Sequence, residues 1–153
     1  YWKGRTGEPY SNMPYAFSGH LVLLVDEFTA SDGEAFAEGF RRLGMGKAIG
    51  ARTWGGEVWL SGVNTLTDNG VARAPMNGVY GVVDANQKTE WLIEGVGFIP
   101  DIEVINLPKA TFEGTDQQLD AAIEHLRELI NADPRPVPTP PAYPDKSFKN
   151  GKN

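Results

Sequence analysis

The sequence predicts an α/β fold with a mixed, largely parallel sheet, crossover helices and β-hairpin additions. A continuous apolar, β-branched run at 21–25 is typical of a strand that is buried on both faces. A helix and a second short strand follow within about thirty residues, and a strand–helix–strand unit of that length implies a parallel crossover. Turn signals then separate short strands up to residue 105, which predicts hairpins beside the parallel strands.

The crossover helix is predicted from four apolar residues at helical spacing, Phe36, Ala37, Phe40 and Leu43. Arg41 and Arg42 complement the dipole at its C-terminal end, and Gly44 and Gly46 fit its termination. The segment 48–51 is then the second strand. Although these glycines superficially suggest a nucleotide loop, they follow a helix and precede a strand, which is the reverse of a phosphate cradle.

Two hairpins and a final helix complete the predicted elements. Asp68-Asn69-Gly70 is a hairpin turn signal, and the polar turn 84–87 separates strands at 79–83 and 91–93. Thr115 and Gln118 are predicted to form the capping box of the last helix. Its apolar face is expected to comprise Leu119, Ala122, Ile123, Leu126 and Ile130.

The ends of the chain differ in composition from its centre. Residues 1–19 are predicted to form an extended arm that packs on a neighbouring surface, with aromatic residues Tyr1, Trp2, Tyr10, Tyr15 and Phe17. Six prolines after Asp133 predict a polyproline-type tail over 133–153. The predicted globular part is therefore 20–132.

Composition excludes several classes of function. The chain has 153 residues, 14 basic and 20 acidic, and a net charge of -6, so it lacks the basic surface that nucleic acid requires. No apolar run approaches the roughly 18–20 residues of a membrane span. With no cysteine and two histidines, we expect no disulfide, thiolate nucleophile or metal site.

Ser31 is the most interesting candidate residue, because it lies between the first predicted strand and the crossover helix. Ser31 and Glu34 match the capping box S-x-x-E, so a helix cap is one interpretation. The other is a nucleophile presented on a tight strand-to-helix turn. The N–H groups of the helix start, chiefly that of Asp32, would then stabilise an oxyanion.

Three further polar residues have simple structural interpretations. Glu94 lies in a glycine-containing loop after a predicted strand and on its own is an exposed carboxylate. His20 immediately precedes the first strand, where a strand-entry histidine is favoured over a general base. His125 is predicted to be solvated, on the face of the last helix opposite its apolar residues.

Two blocks of motifs carry a resemblance to a known family. The first comprises ASDGEAF (30–36), LGMGK (43–47) and RTWGG (52–56). The second comprises IEGVG (93–97), PDIEV (100–104) and GTDQQL (114–119). In conjunction they resemble the catalytic core of tricorn-type serine peptidases, within the tail-specific (carboxyl-terminal-processing) peptidase family, over roughly residues 21–129.

This resemblance implies roles for three residues. Ser31 would be the nucleophile, and the backbone N–H of Asp32 one donor of the oxyanion hole. Glu94 falls where the tricorn branch carries the acidic member of its catalytic tetrad, which helps to orient the histidine. The implied fold is the crotonase/ClpP-like superfold, and neither a metal nor a nucleotide cofactor is required.

The sequence also departs from the family. The processing branch uses a lysine base, and Gly56 stands at its place here, which favours the histidine base of the tricorn branch. The motifs that carry this histidine do not occur in residues 1–30. We therefore expect the chain to be the C-terminal part of a catalytic core. The base would come from the upstream part of a longer polypeptide, called here the parent polypeptide.

The predicted function is that of a serine endo- or carboxypeptidase acting on short peptides in the parent polypeptide, with negligible turnover by this chain alone. A homo-oligomer is expected, with no nucleic-acid partner and no membrane insertion. The alternative is a noncatalytic peptide-binding or assembly module of the same fold, favoured by the aromatic arm and the Pro-rich tail. The absence of cysteine fits both periplasm and cytoplasm, and the Pro-rich tail favours an exported bacterial protein.

Overall fold

The computed structural model of the chain describes residues 1–12 and 17–144. Tyr15 of the predicted arm and residues 145–153 of the predicted tail lie outside these ranges. In chain order, the elements are β1 (Leu21–Val25), α1 (Asp32–Arg42), β2 (Gly46–Gly50), β3 (Trp59–Leu60), β4 (Pro75–Asn77), β5 (Tyr80–Val82), β6 (Thr89–Trp91), β7 (Ile102–Glu103), α2 (Pro108–Phe112) and α3 (Gln117–Ala132).

The central sheet is parallel and has the order β1-β2-β7. Helix α1 connects β1 to β2, whose register runs from Leu21 opposite Gly46 to Val25 opposite Gly50. This confirms the predicted α/β class and its strand–helix–strand unit. At Gly50, a Cβ atom would lie 1.7 Å from the carbonyl oxygen of Val25, so only glycine allows the two strands to approach.

The end of α1 differs slightly from the prediction. Gly44 has φ 62° and follows the C-cap residue Leu43, as expected of a helix-terminating glycine. Gly46 is instead the first residue of β2, which therefore begins two residues before the predicted strand. The pairing of Leu21 with Gly46 explains the difference, because a strand's length depends on its partner.

Antiparallel pairs follow the crossover. β5 pairs with β6 around the predicted polar turn, where Asp84 Oδ1 accepts hydrogen bonds from the amides of Asn86 and Lys88 at 2.9 and 3.0 Å. At the other predicted hairpin, the Asp68–Gly70 turn forms, but its arms are reduced to one bridge between Thr65 and Val71. The two-stranded β3–β4 pair lies outside this turn.

The core is small, and one face of β1 is more open than predicted. Buried Val25, Ala37, Ala48 and Phe98 form the core cluster, against which Leu23 packs. Leu24 is 41% exposed, so the prediction that β1 is buried on both faces is wrong. Burial on both faces requires a covering layer, and the described elements leave Leu24 partly uncovered.

Helix α3 starts differently from the prediction. Its N-cap is Asp116, whose side chain accepts a hydrogen bond from the Leu119 amide at 3.0 Å, so the predicted capping box of Thr115 and Gln118 is wrong. Asp and Thr are both strong N-cap residues, and sequence alone does not choose between neighbours. Gln118 is buried and donates its side-chain N–H to the Val104 carbonyl oxygen.

The face that α3 was expected to bury is only partly covered. Ala122 is 4% exposed, whereas Leu119, Ile123 and Ile130 are 44%, 38% and 53% exposed. The helix packs on β1 and β2 through part of the predicted stripe. Across residues 1–12 and 17–144, no helix combines the length and apolar character that a membrane span requires.

The two ends of the described chain contact each other. Trp2 and Tyr10 pair as an isolated antiparallel bridge in the predicted arm. Tyr143 of the tail donates its hydroxyl hydrogen to the Gly4 carbonyl oxygen at 2.7 Å. Arg135 donates to the Ser18 carbonyl oxygen at 3.1 Å. The tail therefore packs along the arm.

Candidate active site

Ser31 occupies a strained turn between β1 and α1. Its backbone has φ 53° and ψ -121°, outside the regions that non-glycine residues ordinarily adopt. An ordinary N-cap residue has an extended backbone, so helix capping alone does not account for this conformation. The predicted capping box with Glu34 is nevertheless present, which means that the turn combines helix initiation with backbone strain.

The first amide of the helix lies next to this serine. Glu34 and Ala35 both donate their amides to the Ser31 carbonyl oxygen, at 2.8 and 3.1 Å. The Asp32 N–H donates no hydrogen bond to any described residue. An unpaired donor at a helix N-terminus, beside an exposed serine, is positioned to bind a negatively charged oxygen.

Glu34 connects the Ser31 turn to the segment 53–58. Its carboxylate is fully buried and accepts hydrogen bonds from the Thr53 hydroxyl and the amides of Gly55 and Gly56, the latter two at 2.7 and 3.0 Å. It also accepts from the Ser31 amide at 3.1 Å. Burial raises the pKa of Glu34, but these hydrogen bonds outweigh it and hold the pKa below its ordinary value.

Glu94 is held from the other side of the same segment. One of its carboxylate oxygens accepts hydrogen bonds from the amides of Glu57 and Val58, at 2.8 and 2.9 Å. The preceding residue, Ile93, is buried at φ 69°, a conformation rare for a β-branched side chain. Such strain persists only where the surroundings impose it, so the orientation of the Glu94 loop is fixed.

Glu57 is a buried carboxyl that the sequence analysis did not single out. Its side chain is 3% exposed, and its Oε2 atom has no hydrogen-bond partner among the described residues. Burial raises the pKa of Glu57, and the negative charges of Asp32, Glu34 and Glu94 raise it further. Four carboxyl groups therefore lie around the segment 53–58, and the pKa of one of them, Glu57, is raised.

Ser31, Asp32 and Glu94 line one cavity of about 620 Å³. The structure thus brings together the three residues that sequence analysis proposed for the site. The remaining lining residues are Trp54, Gly56, Val58, Trp59, Leu60, Arg73 and Pro75. A second, mainly apolar cavity of about 430 Å³ shares Val58, Pro75 and Glu94 with the first and includes Met76 and Trp91.

The two histidines lie in a different cavity, of about 520 Å³. His20 precedes β1 while Ser31 follows it, and a five-residue strand separates its ends by about 16 Å. His20 Nε2 is 2.8 Å from the Asp133 carbonyl oxygen. The side chain of His125 is 21% exposed, and its buried Nε2 has no partner among the described residues. The predicted solvation of His125 is therefore wrong, because the packing of α3 partly buries it.

Sequence analysis proposed Ser31, Asp32 and Glu94, which line one cavity, but did not predict the buried contacts of Glu34 or the burial of Glu57. Glu34 was recognised only as the partner of Ser31 in a capping box. Its contacts with Thr53, Gly55 and Gly56 span about twenty residues and leave no periodic signal. The only sequence signal for the burial of Glu57 is its position as a single charged residue in the segment 53–58, which is otherwise largely apolar and glycine-rich.

Comparison with known proteins identifies the family of the chain. Residues 2–104 match peptidase family S41. The tricorn protease of Thermoplasma acidophilum is 35% identical over 112 residues, which are 73% of this chain and 10% of that protein. Tricorn protease homolog 1 of Streptomyces coelicolor is 32% identical over 126 residues, 82% of this chain and 11% of that protein.

A solved structure shows the same relationship. A crystal structure of the tricorn protease superimposes with a TM-score of 0.64 at 33% identity, covering 74% of this chain and 11% of that one. The sequence match over most of the chain, together with the shared fold, shows that the chain belongs to peptidase family S41. Within that family it is similar to tricorn proteases, and it spans about a tenth of the length of the relatives named above.

Proposed function

We propose that this chain supplies the nucleophile and part of the oxyanion hole of a serine peptidase site in the parent polypeptide. The observation that carries this proposal is the geometry of Ser31. It occupies a strained strand-to-helix turn, beside the unpaired Asp32 amide, and faces a cavity that it shares with Glu94. A residue that served only as a helix cap would not require that backbone conformation.

In this mechanism the Ser31 hydroxyl oxygen attacks the carbonyl carbon of a peptide bond. The hydroxyl proton passes to a histidine from the upstream part of the parent polypeptide, and the Asp32 N–H donates to the resulting oxyanion. Collapse of the tetrahedral intermediate breaks the C–N bond, and the leaving amine takes the proton from the histidine. Water then hydrolyses the acyl ester on Ser31 by the same route.

Glu94 acts on this chemistry through the histidine. Its carboxylate is fixed by two backbone amides, so it presents a negative charge at a defined place on the cavity wall. A fixed carboxylate of this kind stabilises and orients an imidazolium as it forms. We therefore assign Glu94 the role of positioning the base system.

The proposed substrates are peptides. The apolar cavity beside the Ser31 cavity is large enough to receive a side chain while the scissile carbonyl lies near Ser31. The homo-oligomeric state remains a prediction. Alone, this chain is expected to show negligible turnover, because a serine site without its base keeps only about 10³–10⁴-fold of rate enhancement over water.

Labelling of the parent polypeptide with a fluorophosphonate tests the proposal. Mass spectrometry of the digested protein is expected to place the label on Ser31, and Ser31→Ala is expected to abolish labelling. Ser18→Ala is the matched control, since Ser18 is exposed and lies before β1 at the other end of the strand. A folded but unlabelled parent polypeptide would contradict the proposal and favour the noncatalytic peptide-binding module.

A further inference from the structure

We propose that Glu34 is a positioning residue of this site, and that its carboxylate fixes the Ser31 turn and the segment 53–58 in their active arrangement. This inference rests on the proposed function. Every hydrogen bond that Glu34 accepts comes from one of these two regions. Its side chain has no exposed surface, so these interactions are not exchanged for water.

Each carboxylate oxygen of Glu34 accepts two hydrogen bonds. Oε1 accepts from the Thr53 hydroxyl and the Gly55 amide, and Oε2 accepts from the amides of Gly56 and Ser31. The Ser31 amide is the group whose position sets the direction of the strained turn. Four donors facing one anion require a carboxylate, because no neutral side chain of this size offers two acceptor oxygens.

The segment 53–58 transmits this constraint to Glu94. The Gly55 carbonyl oxygen accepts a hydrogen bond from the Gly95 amide at 2.9 Å, and the amides of Glu57 and Val58 bind the Glu94 carboxylate. At the start of the segment, the Thr53 hydroxyl accepts from the Phe98 amide at 2.7 Å. Glu34 thus stands at one end of a continuous set of contacts that joins the serine turn to the Glu94 loop.

The variant Glu34→Gln tests this role. An NH2 group at the Oε2 position faces the amides of Gly56 and Ser31, and both interactions are lost. An NH2 group at the Oε1 position loses the Gly55 interaction and requires the Thr53 hydroxyl to accept instead of donating. We expect the fluorophosphonate labelling rate of the folded parent polypeptide to fall between about 10-fold and 10²-fold, as for a misplaced catalytic group. The reversible affinity for a peptide fluorophosphonate, measured separately from the rate of bond formation, is expected to change little.

Glu38→Gln is the matched control, because Glu38 lies one turn further along α1 and pairs with Arg42 away from the cavity. The folded fraction of each variant is measured by amide hydrogen exchange, and rates are expressed per folded molecule. A purely structural Glu34 would lower the folded fraction and leave that rate unchanged. Equal rates for Glu34→Gln and Glu38→Gln would overturn the role of Glu34 while the proposed function stood.

A second variant keeps the inference testable if Glu34→Gln does not fold. Thr53→Val removes one of the four donors to Glu34 together with the acceptor of the Phe98 amide, and Thr53→Ser retains both. Thr53→Val is expected to label several-fold more slowly and Thr53→Ser at nearly the wild-type rate. Equal, wild-type rates for both would overturn the inference. A folded wild-type polypeptide that does not react at all would overturn the proposed function, and with it this role.

Discussion

The starts of α1 and α3 are two helix N-termini built by different rules. At α3, Asp116 has φ -117° and ψ 93°, an extended conformation, and its side chain accepts a hydrogen bond from the Leu119 amide. At α1, Ser31 has φ 53° and ψ -121°. Asp116 therefore shows the ordinary way to begin a helix, and Ser31 departs from it.

The difference supports the proposal that the start of α3 serves stability and the start of α1 serves chemistry. At Asp116, hydrogen bonds from Leu119 and Asn106 lower the pKa of the carboxyl, so the charged form stabilises the helix start. At Ser31, the surroundings maintain a strained backbone, and the buried carboxylate of Glu34 contributes to this constraint. Strain held in place by buried hydrogen bonds is typical of functional positions.

The largest expected effect is on peptide hydrolysis, which is expected to respond to substitution at the start of α1 but not at the start of α3. Ser31→Ala in the parent polypeptide is expected to lower peptide hydrolysis by more than about 10³-fold, because the nucleophile is lost. Asp116→Ala is expected to leave the rate per folded molecule unchanged, since Asp116 does not line the Ser31 cavity. The measurement is hydrolysis of a fluorogenic peptide. Comparable losses in the two variants would show that Ser31 acts as a structural cap.

Local sequence patterns predicted the elements around Ser31 but not the constraint on it. The apolar run 21–25, the helical spacing of Ala37 and Phe40, and the turn glycine Gly44 are properties of neighbouring residues, and the strand, helix and helix end that they predicted are present. The predicted burial of both faces of β1, which depends on other elements, was wrong. The hydrogen bonds of Glu34 join residues about twenty positions apart. Interactions at that range arise from packing and have no signature in spacing or composition.

The next effect is on stability and concerns Glu57, whose carboxyl group lies near those of Asp32, Glu34 and Glu94. Because the pKa of Glu57 is raised in the folded state, Glu57 contributes stability at low pH that is lost as pH rises between the unfolded and folded pKa values. Glu57→Gln is therefore expected to raise the free energy of unfolding at pH 8 by about 1–3 kcal/mol. At pH 4 the difference from wild type is expected to disappear.

Urea denaturation at the two pH values measures this difference. Glu8→Gln is the control, because Glu8 is exposed and lies in the N-terminal arm, outside the carboxyl groups around the segment 53–58. The lowered pKa values of Glu34 and Asp101 make the protein less stable as the pH falls. This effect is present in both the variant and the wild type, so it cancels when their free energies of unfolding are compared. A Glu57→Gln protein less stable than wild type at pH 8 would show that the ionised carboxylate has a partner.

Other features depended on tertiary context that the sequence does not display. Thr115 and Asp116 are both suitable N-cap residues. Asp116 is the N-cap in the structure, where its carboxylate also accepts a hydrogen bond from the Asn106 side chain. The positive φ of Ile93 contradicts the preference of a β-branched residue, so no propensity argument could have predicted it. The burial of His125 likewise follows from the way α3 packs on the sheet.

The smallest expected effect is on stability: substitution by glycine is expected to change the free energy of unfolding in opposite directions at the two helix starts. Ser31→Gly removes the Cβ atom from a strained backbone. Because the relief of strain exceeds the cost of the extra entropy of glycine in the unfolded chain, the free energy of unfolding is expected to rise by about 1 kcal/mol. Asp116→Gly removes a capping carboxylate from an unstrained backbone and is expected to lower stability slightly. Chemical denaturation of both variants at pH 7 measures the pair. A loss of stability at both positions would mean that Ser31 contributes to the fold chiefly as a cap, and that its backbone conformation costs little.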